Sequence, residues 1–455
     1  MEATPLQKLA RWAGAEILGG EPDTTIETVC TDSRTLRAGD LFLALRGENF
    51  DGHSFVPEAA RRGASGAVVQ EPVHDLPRHF ACLRVTDTLR ALQEIAANYR
   101  RSIPLQVVCI TGSNGKTSTK DLTASVLGEH FPVTKTEGNL NNHIGLPMTI
   151  LRARASDEIG VFEIGMNHPG EIAPLAKIAA PDVAIITNIG SAHLEFMKTR
   201  EAIAQEKGTL AEALAPSGTV VLNADDEFSQ SIAARTKADT VFCGLESGDI
   251  FASELTPTAT GTRFRLHGFG RSVAAELPVP GIHMVRNALL AVAAGHVFGL
   301  SLEECASGLA KVQLTRGRLE QKIVRGIAVI DDSYNANPDS MKAALLTLAQ
   351  MSANGRRIAV LGNMGELGTE AERGHRDVGR CAVDLGFDCV ITVGEQAGWI
   401  AEEAWRGGLA KVLKFATSEE AVRALREIAR AGDLVLVKGS RSAKMERIVE
   451  GLRSV

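Results

Sequence analysis

Apolar and polar positions follow a repeating rhythm along the chain, in which short β-branched runs alternate with longer amphipathic stretches. Short apolar runs bounded by turn residues predict buried strands, and stretches with a period near 3.6 predict helices. Strands that alternate with helices are typical of parallel sheets covered on both faces. We therefore predict an α/β fold with three domains, bounded at residues 1–86, 87–314 and 315–455.

The N-terminal domain is predicted to be a small α/β module. A helix is expected near residues 5–13 and another after His53. Predicted strands lie at 40–46, 66–70 and 82–86. The amphipathic stretch 87–99 predicts a helix that leads into the central domain.

The two larger domains repeat the strand–helix rhythm. In the central domain, predicted strands lie at 105–110, 159–166, 183–190, 218–223 and 240–244. Residues 251–281 predict a small antiparallel addition, and 283–299 predict a buried alanine-rich helix. In the C-terminal domain, predicted strands lie at 327–332, 357–362, 389–394, 412–415 and 433–438. These patterns predict a doubly wound, P-loop ATPase-like central sheet and a Rossmann-like C-terminal sheet.

The strongest chemical signal is the stretch Thr111-Gly-Ser-Asn-Gly-Lys-Thr117, which follows a predicted strand and opens a predicted helix. Glycines let backbone N–H groups converge on an anion, and the helix N-terminus adds partial positive charge. Lys116 would contact the β- and γ-phosphates of ATP, and Thr117 would offer its hydroxyl to Mg²⁺. The usual phosphate loop has a further glycine where this chain has Ile110. The alternative is a tight strand–helix turn.

Polar residues near predicted strand ends add to this signal, because ligands bind at the carboxyl ends of strands in open α/β sheets. Glu163 stands in an apolar strand, where a carboxylate is costly unless it is paired or bound to a metal. His193 follows the next strand, and Lys207 comes fourteen residues later. The alternatives are a salt-bridged glutamate, a structural histidine and a solvated helix lysine.

Composition narrows the choice of function. The formal net charge of −6 over 455 residues gives no global basic field for nucleic acid, and 4% aromatic residues argue against a stacking platform for single strands. The seven cysteines show no C-x-x-C spacing, so we expect reduced thiols and neither a zinc site nor a disulfide framework. We also expect no membrane span, no signal peptide and a cytoplasmic location.

Several motifs together resemble those of the Mur ligase family. They are the phosphate loop, the fourteen-residue spacing from His193 to Lys207, Gly138-Asn-Leu-Asn-Asn-His-Ile-Gly-Leu-Pro147, Asp331-Asp-Ser-Tyr-Asn-Ala-Asn-Pro338 and Leu361-Gly-Asn-Met-Gly-Glu-Leu-Gly368. The last motif more usually has Asp where this chain has Asn363. The resemblance covers essentially the whole chain, with all three domains in family order.

The resemblance implies a role for individual residues. The implied ATP contacts are Gly112, Ser113, Asn114, Gly115, Lys116, Thr117, Ser118, Asn287, Arg318, Asp332, Tyr334 and Asn335. The implied metal ligands are Thr117, Glu163, His193 and, if its amine is carbamylated, Lys207. The implied contacts to a UDP-linked substrate are Ser33, Arg34, His53, Asn139 and Asn142. The residues expected to act in catalysis are Lys116, Glu163, His193, Lys207 and Arg318.

The resemblance also implies an activity. The motifs favour an ATP-dependent ligase that joins D-alanyl-D-alanine to UDP-N-acetylmuramoyl-tripeptide through an acyl phosphate. The products would be UDP-N-acetylmuramoyl-pentapeptide, ADP and phosphate, in the peptidoglycan precursor synthesis on which cell wall biogenesis, cell shape and cell division depend. In this interpretation domain 1–86 binds the UDP-linked substrate, domain 87–314 binds ATP and domain 315–455 completes the nucleotide and D-alanyl-D-alanine side. The expected cofactors are ATP and Mg²⁺, and the expected state is a monomer.

Two alternatives remain at this point. The first is a related ligase, such as a folylpolyglutamate synthetase or another Mur step, although the uridine-nucleotide-type N-terminal module argues against the folate enzyme. The second is a non-catalytic, nucleotide-gated interaction protein. The two classes differ in whether ADP is released when both proposed substrates are supplied.

Overall fold

The chain folds into α/β sheets that follow one another in sequence order, which confirms the predicted fold class. A computed structural model describes residues 1–47, 50–258 and 260–453. The boundaries at residues 86 and 314 remain predictions. The elements are given below for each part of the chain.

The N-terminal sheet has the strand order β2-β7-β6-β5-β4, in which β2 runs antiparallel to β7 and the other neighbours are parallel. Its elements, with the β1–β3 ribbon, are β1 (Thr4–Pro5), α1 (Leu6–Ala13), β2 (Glu16–Leu18), β3 (Thr25–Ile26), β4 (Val29–Cys30), β5 (Leu41–Leu43), α2 (Val56–Arg61), β6 (Gly66–Val69) and β7 (Ala81–Arg84). The strand predicted at 40–46 is shorter than expected, because the N–H of Leu45 turns back to the carbonyl oxygen of Leu43.

The central sheet has the order β16-β15-β14-β13-β12-β11-β8-β10-β9. Its elements are α3 (Thr88–Ser102), β8 (Gln106–Thr111), α4 (Lys116–Leu127), β9 (Val133–Lys135), α5 (Gly145–Ile150), β10 (Ile159–Glu163), α6 (Ile172–Ala179), β11 (Val183–Ile186), α7 (Leu194–Met197), α8 (Arg200–Glu212), β12 (Thr219–Asn223), α9 (Ser229–Ala233), β13 (Asp239–Leu245), β14 (Ile250–Pro257), β15 (Thr262–Gly268), β16 (Arg271–Leu277), α10 (Ile282–Val297) and α11 (Leu302–Ala310). The antiparallel strands β14–β16 continue the main sheet, because β14 pairs in parallel with β13. The strand order reverses around β8, and such reversals place ligand crevices beside the strand ends.

The C-terminal sheet has the order β17-β18-β22-β19-β20-β21. Its elements are β17 (Glu320–Val324), β18 (Ile327–Asp332), α12 (Pro338–Gln350), β19 (Arg357–Gly362), α13 (Ala371–Asp384), β20 (Cys389–Val393), α14 (Gly398–Arg406), β21 (Val412–Phe415), α15 (Ser418–Ile428), β22 (Leu434–Lys438) and α16 (Glu446–Arg453). Strand β17, which the sequence analysis did not predict, is an antiparallel edge strand beside β18.

Buried apolar side chains connect the sheets to one another. One cluster joins Met1 and Leu6 of the N-terminal part to Ile95 of α3 and Phe162 of β10. A second cluster runs from the central sheet across α10 into α12 of the C-terminal part. Within the described ranges, no helix is long and apolar enough to cross a membrane.

Candidate active site

The loop between β8 and α4 takes a conformation that its glycines make possible. Gly112 has φ of +149°, and a Cβ atom there would lie 1.8 Å from Thr187 Oγ1. Gly115 has φ of +81°, and a Cβ atom there would lie 2.5 Å from Asn287 Oδ1. Glycine tolerates both the positive φ and the close approach. The loop therefore turns tightly into the N-terminus of α4, a site that favours anions.

Lys116 lies folded against its own loop. Its Nζ donates to the carbonyl oxygen of Gly112 at 2.8 Å. Burial lowers the pKa of the Lys116 amine, and the positive charge of Arg318 lowers it further while Glu163 opposes the shift. The ammonium group is thus held at the wall of the cavity by bonds that a phosphate group could replace.

Thr117 and Glu163 form the oxygen-rich floor of the site. Thr117 Oγ1 donates to Glu163 Oε2 at 2.9 Å, and Glu163 Oε1 accepts a hydrogen bond from Asn141 Nδ2 at 2.8 Å. Arg318 Nη2 donates to Thr117 Oγ1 at 3.3 Å although it comes from the start of the C-terminal part. The sequence analysis did not single out Asn141, which lies between the predicted Asn139 and Asn142 in the same motif.

His193 and Lys207 lie near this floor. His193 Nδ1 lies 2.5 Å from Glu366 Oε2, and burial lowers the imidazole pKa with further lowering by Lys116 and Lys207. The Lys207 side chain is buried, so the alternative of a solvated helix lysine is wrong. Burial, followed by the charge of Lys116, holds the pKa of the Lys207 amine well below its ordinary value. Among the described residues, the structure gives the Lys207 amine no hydrogen bond.

The predicted metal ligands come from four elements of the central part: Thr117 from α4, Glu163 from the end of β10, His193 from the residue before α7, and Lys207 from α8. No group of three or more His, Cys, Asp or Glu side chains able to hold a metal occurs in the described part of the chain. The predicted set needs only Glu163 and His193 of those types, with the Thr117 hydroxyl and a modified Lys207. The adjacent oxygens of Thr117 and Glu163 suit Mg²⁺, which prefers oxygen ligands and keeps several waters.

A buried ion pair lies on the C-terminal side of the cavity. Lys438 Nζ lies 2.6 Å from Asp332 Oδ2 and donates to the carbonyl oxygen of Asn335 at 2.9 Å. The Arg318 guanidinium lies 4.3 Å from the centre of the Tyr334 ring. The sequence analysis did not single out Lys438. This lysine is the last residue of β22, so the search for polar residues at strand ends could have found it. These contacts order the segment that is predicted to face the ribose and base.

Most of these residues line one cavity of about 1130 Å³ between the central and C-terminal sheets, but Gly112 and Lys207 are not on its wall. The predicted residues on its wall are Ser113, Asn114, Gly115, Lys116, Thr117, Ser118, Asn139, Asn142, Glu163, His193, Asn287, Arg318, Asp332, Tyr334 and Asn335. The central and C-terminal parts touch directly at this cavity, since Asn337 Nδ2 donates to Asn114 Oδ1 at 2.8 Å. Asn142 also has a local role, because its Oδ1 accepts from the N–H of Gly145 at the start of α5.

The residues predicted to contact the UDP-linked substrate in the N-terminal module lie away from this cavity wall. His53 is held locally, since Nδ1 lies 2.6 Å from Asp51 and Nε2 accepts from the N–H of Gln70 at 2.8 Å. Ser33 is buried. Arg34 is 85% exposed and pairs with Asp32, so it is the group best placed to meet a ligand. The assignment of these residues remains a prediction.

Comparison with family models gives matches over most of the chain. Residues 25–100 match the "Mur ligase family, catalytic domain" model, residues 110–295 match the "Mur ligase middle domain" model, and residues 317–441 match the "Mur ligase, glutamate ligase domain" model. The order of the three matches is the order of the three sheets.

Individual proteins are similar over nearly the full length. The UDP-N-acetylmuramoyl-tripeptide–D-alanyl-D-alanine ligase of Bacillus subtilis (strain 168) is 38% identical, covering 94% of this chain and 93% of its own. A crystal structure of MurF from Acinetobacter baumannii superposes with a TM-score of 0.91 at 35% identity, covering 100% of both chains. The MurF ligase of Thermotoga maritima in complex with ADP superposes with a TM-score of 0.84 at 30% identity, covering 94% of this chain and 97% of its own.

Proposed function

The chain belongs to the Mur ligase family, and from that membership we propose that it joins D-alanyl-D-alanine to UDP-N-acetylmuramoyl-tripeptide with ATP as the energy source. The product would be the pentapeptide precursor of peptidoglycan. Since ATP and the uridine nucleotide are metabolites of the cell interior, the proposal includes a cytoplasmic location, and the acting species is a monomer.

One observation carries the proposal. Arg318 crosses from the C-terminal part to Thr117, which lies directly after Lys116 and touches Glu163. A phosphoryl group held at the start of α4 would therefore have cationic groups from two domains beside it. Charge neutralisation and positioning of this kind account for most of the catalysis of phosphoryl transfer.

Mg²⁺ fits the oxygen donors on the floor of the site. Thr117 and Glu163 would hold it, with His193 and a carbamylated Lys207 completing the protein ligands. When bound, the ion would neutralise charge on the phosphate oxygens. Glu163 is already oriented for this by the amide of Asn141.

The chain's own residues would act through charge and position. The terminal carboxylate of the tripeptide attacks the γ-phosphoryl group of ATP, which gives an acyl phosphate and ADP. Lys116 and Arg318 stabilise the charge on the transferring group. The amine of D-alanyl-D-alanine then attacks the acyl carbon and loses a proton, an amide bond forms, and phosphate leaves with the bonding electron pair. The closed contact between Asn114 and Asn337 helps to exclude water from the acyl phosphate.

The proposal is tested by ADP formation with a panel of UDP-muramoyl peptides, with and without D-alanyl-D-alanine. We expect sustained ADP release only when a UDP-muramoyl-tripeptide and D-alanyl-D-alanine are both present. Lys116→Ala should reduce turnover by about 10² or more, from the loss of one phosphate-stabilising charge. The matched control is Lys177→Ala, which removes an exposed lysine from α6. The proposal would be overturned if the rate of ADP release did not depend on D-alanyl-D-alanine, or if Lys116→Ala were fully active.

A further inference from the structure

Asp121 is a buried acid on the helix that carries the phosphate loop. Its side chain is 1% exposed, and its Oδ1 lies 2.9 Å from Lys135 Nζ and 3.1 Å from Lys120 Nζ. Burial alone would raise the pKa of the Asp121 carboxyl, but these two ammonium groups hold it below its ordinary value. The carboxylate is therefore charged, and its second oxygen needs partners of its own.

Those partners come from the segment that joins α11 to β17. Asp121 Oδ2 accepts hydrogen bonds from both the backbone N–H and the hydroxyl of Thr315, each at 2.8 Å. Hydrogen bonds to a charged acceptor are stronger than those between neutral groups. Thr315 is thus tied to α4 by two hydrogen bonds to one carboxylate oxygen, five residues before β17 begins at Glu320.

The chain before Thr315 is also bonded to α4 and the turn after it. Ser125 Oγ donates to the carbonyl oxygen of Gly308 at 2.7 Å. Glu129 accepts from Ser307 at 2.8 Å and pairs with Lys311 at 2.7 Å. Up to Thr315, the segment therefore moves with the phosphate-loop helix.

After Thr315 the backbone turns toward the C-terminal sheet. Gly317 and Leu319 both have positive φ, +72° and +49°, so the backbone turns sharply before the C-terminal sheet begins. Between them lies Arg318, whose guanidinium reaches Thr117. Thr117 and Asp121 are four residues apart on α4 and so lie on one face of the helix. The short segment 315–318 is fixed to that face at both of its ends.

We propose that Asp121 is a positioning residue, which fixes Thr315 on the phosphate-loop helix so that Arg318 is held against Thr117. The proposal rests on the proposed function, because Arg318 matters only if a phosphoryl group is transferred there. Asp121 itself is not on the cavity wall and acts through the linker. Its effect on the rate must therefore pass through Arg318.

The sharpest test is a double-mutant cycle with Thr315→Val, which removes the hydroxyl donor and leaves Asp121 paired with its lysines. We expect kcat to fall about tenfold, the usual range for one charge-assisted hydrogen bond, while the KM for ATP changes less than threefold. In an Arg318→Ala background the same substitution should change kcat less than twofold. The matched control is Thr347→Val, the same substitution at a hydroxyl that bonds the carbonyl oxygen of Ala343 within α12, and it should leave kcat unchanged. An equal loss in both backgrounds would show a merely structural role and overturn the proposal.

Hydrogen exchange separates this inference from the proposed function, because it needs no turnover. In the full chain without substrates, Thr315→Val and Asp121→Asn should speed amide exchange in peptides covering residues 312–320, whereas Thr347→Val on α12 should leave those peptides unchanged. If Asp121→Asn does not fold, Thr315→Val decides the test. Unaltered exchange in a folded variant overturns the anchoring role. Faster exchange in a protein that shows no dipeptide-dependent ADP release supports the anchor and rejects the proposed function.

Discussion

Glu366 Oε2 lies 2.5 Å from His193 Nδ1, so a carboxylate of the C-terminal part orients an imidazole of the central part. Glu366 takes a left-handed backbone conformation, with φ of +60°, in the segment after β19. The hydrogen bond to His193 is the main cause of the lowered pKa of the Glu366 carboxyl. The ring is therefore held in one orientation at the edge of the cavity.

Removing that carboxylate should slow turnover without unfolding the protein. We expect Glu366→Ala to lower kcat about tenfold, because His193 loses the partner that fixes its ring. Steady-state kinetics measures the loss, and circular dichroism checks the fold. Glu370→Ala is the matched control, since Glu370 is half-exposed and pairs only loosely with Arg373, at 3.4 Å. Equal activity of the two variants would refute the role of Glu366.

Lys207 supports a second prediction, because a buried amine with a strongly lowered pKa is neutral more often than an ordinary lysine. A neutral amine reacts with CO₂ to give a carbamate, whose oxygens suit Mg²⁺. We expect Lys207→Ala to lose most activity and formate to restore part of it by filling the vacated space. Lys207→Arg should resist rescue, since the guanidinium keeps its charge and its bulk.

Two measurements check the Lys207 prediction. The first is activity of each variant with and without formate, and the second is carbon NMR of the wild type in ¹³CO₂. A fully active Lys207→Ala variant together with no carbamate signal would rule out the modification.

Arg34 tests the predicted role of the N-terminal module. Its side chain is exposed and pairs with Asp32, so its removal should leave the fold intact. We expect Arg34→Ala to raise the KM for UDP-muramoyl-tripeptide about tenfold, the usual effect of losing one charge-assisted contact, and to leave the KM for ATP unchanged. Arg61→Ala, an exposed arginine on α2 of the same module, is the control. Similar KM values for the two variants would place the uridine nucleotide elsewhere.

His283 makes stability depend on pH in a definite direction. Burial lowers the pKa of its imidazole to about 4, against an ordinary value of 6.5. Between these values the unfolded chain binds a proton that the folded chain does not, so the free energy of unfolding falls as the pH drops from 6.5 to 4. Over this pH range the protonation of His283 lowers the free energy of unfolding by about 3 kcal/mol. We expect urea unfolding at pH 7.5 and 4.5 to show that the free energy of unfolding falls less for His283→Gln than for the wild type. The control His79→Gln, at an exposed site, should behave like the wild type. Parallel losses in all three would contradict the prediction.

Much of the fold follows from apolar runs, because parallel strands are buried on both faces and show up as continuous hydrophobic segments. Strands such as Arg357–Gly362 and Cys389–Val393 were predicted to within a residue. Strand β17 was missed because Glu320-Gln-Lys-Ile-Val is an edge strand with charged positions. The short β5 shows the opposite error, since an apolar run continues after the backbone has turned.

The site was predicted as far as local patterns reach. The phosphate loop and Glu163 have signals in the adjoining sequence, and the structure brings both to one cavity. Asn141 and Glu366 lie in motifs that the sequence analysis quoted, but the sequence does not show which side chain each contacts. Glu366 reaches His193 from the C-terminal part, and Asn141 reaches Glu163 within the central part. The burial of Lys207 also depends on packing, since its helix has polar residues on most sides.

Gly115 and Asn287 together constrain how the sequence can vary. The amide of Asn287 fills the space that a side chain at position 115 would occupy, so the helix start and the predicted ATP contact at Asn287 are adjacent. In genetic terms, a substitution at position 115 has two costs. It displaces the side chain of residue 287, and it strains a left-handed turn that no change at position 287 can relieve. A saturation library at position 115 that is selected for growth should therefore return only glycine, while position 287 accepts the few side chains that leave this space to the backbone.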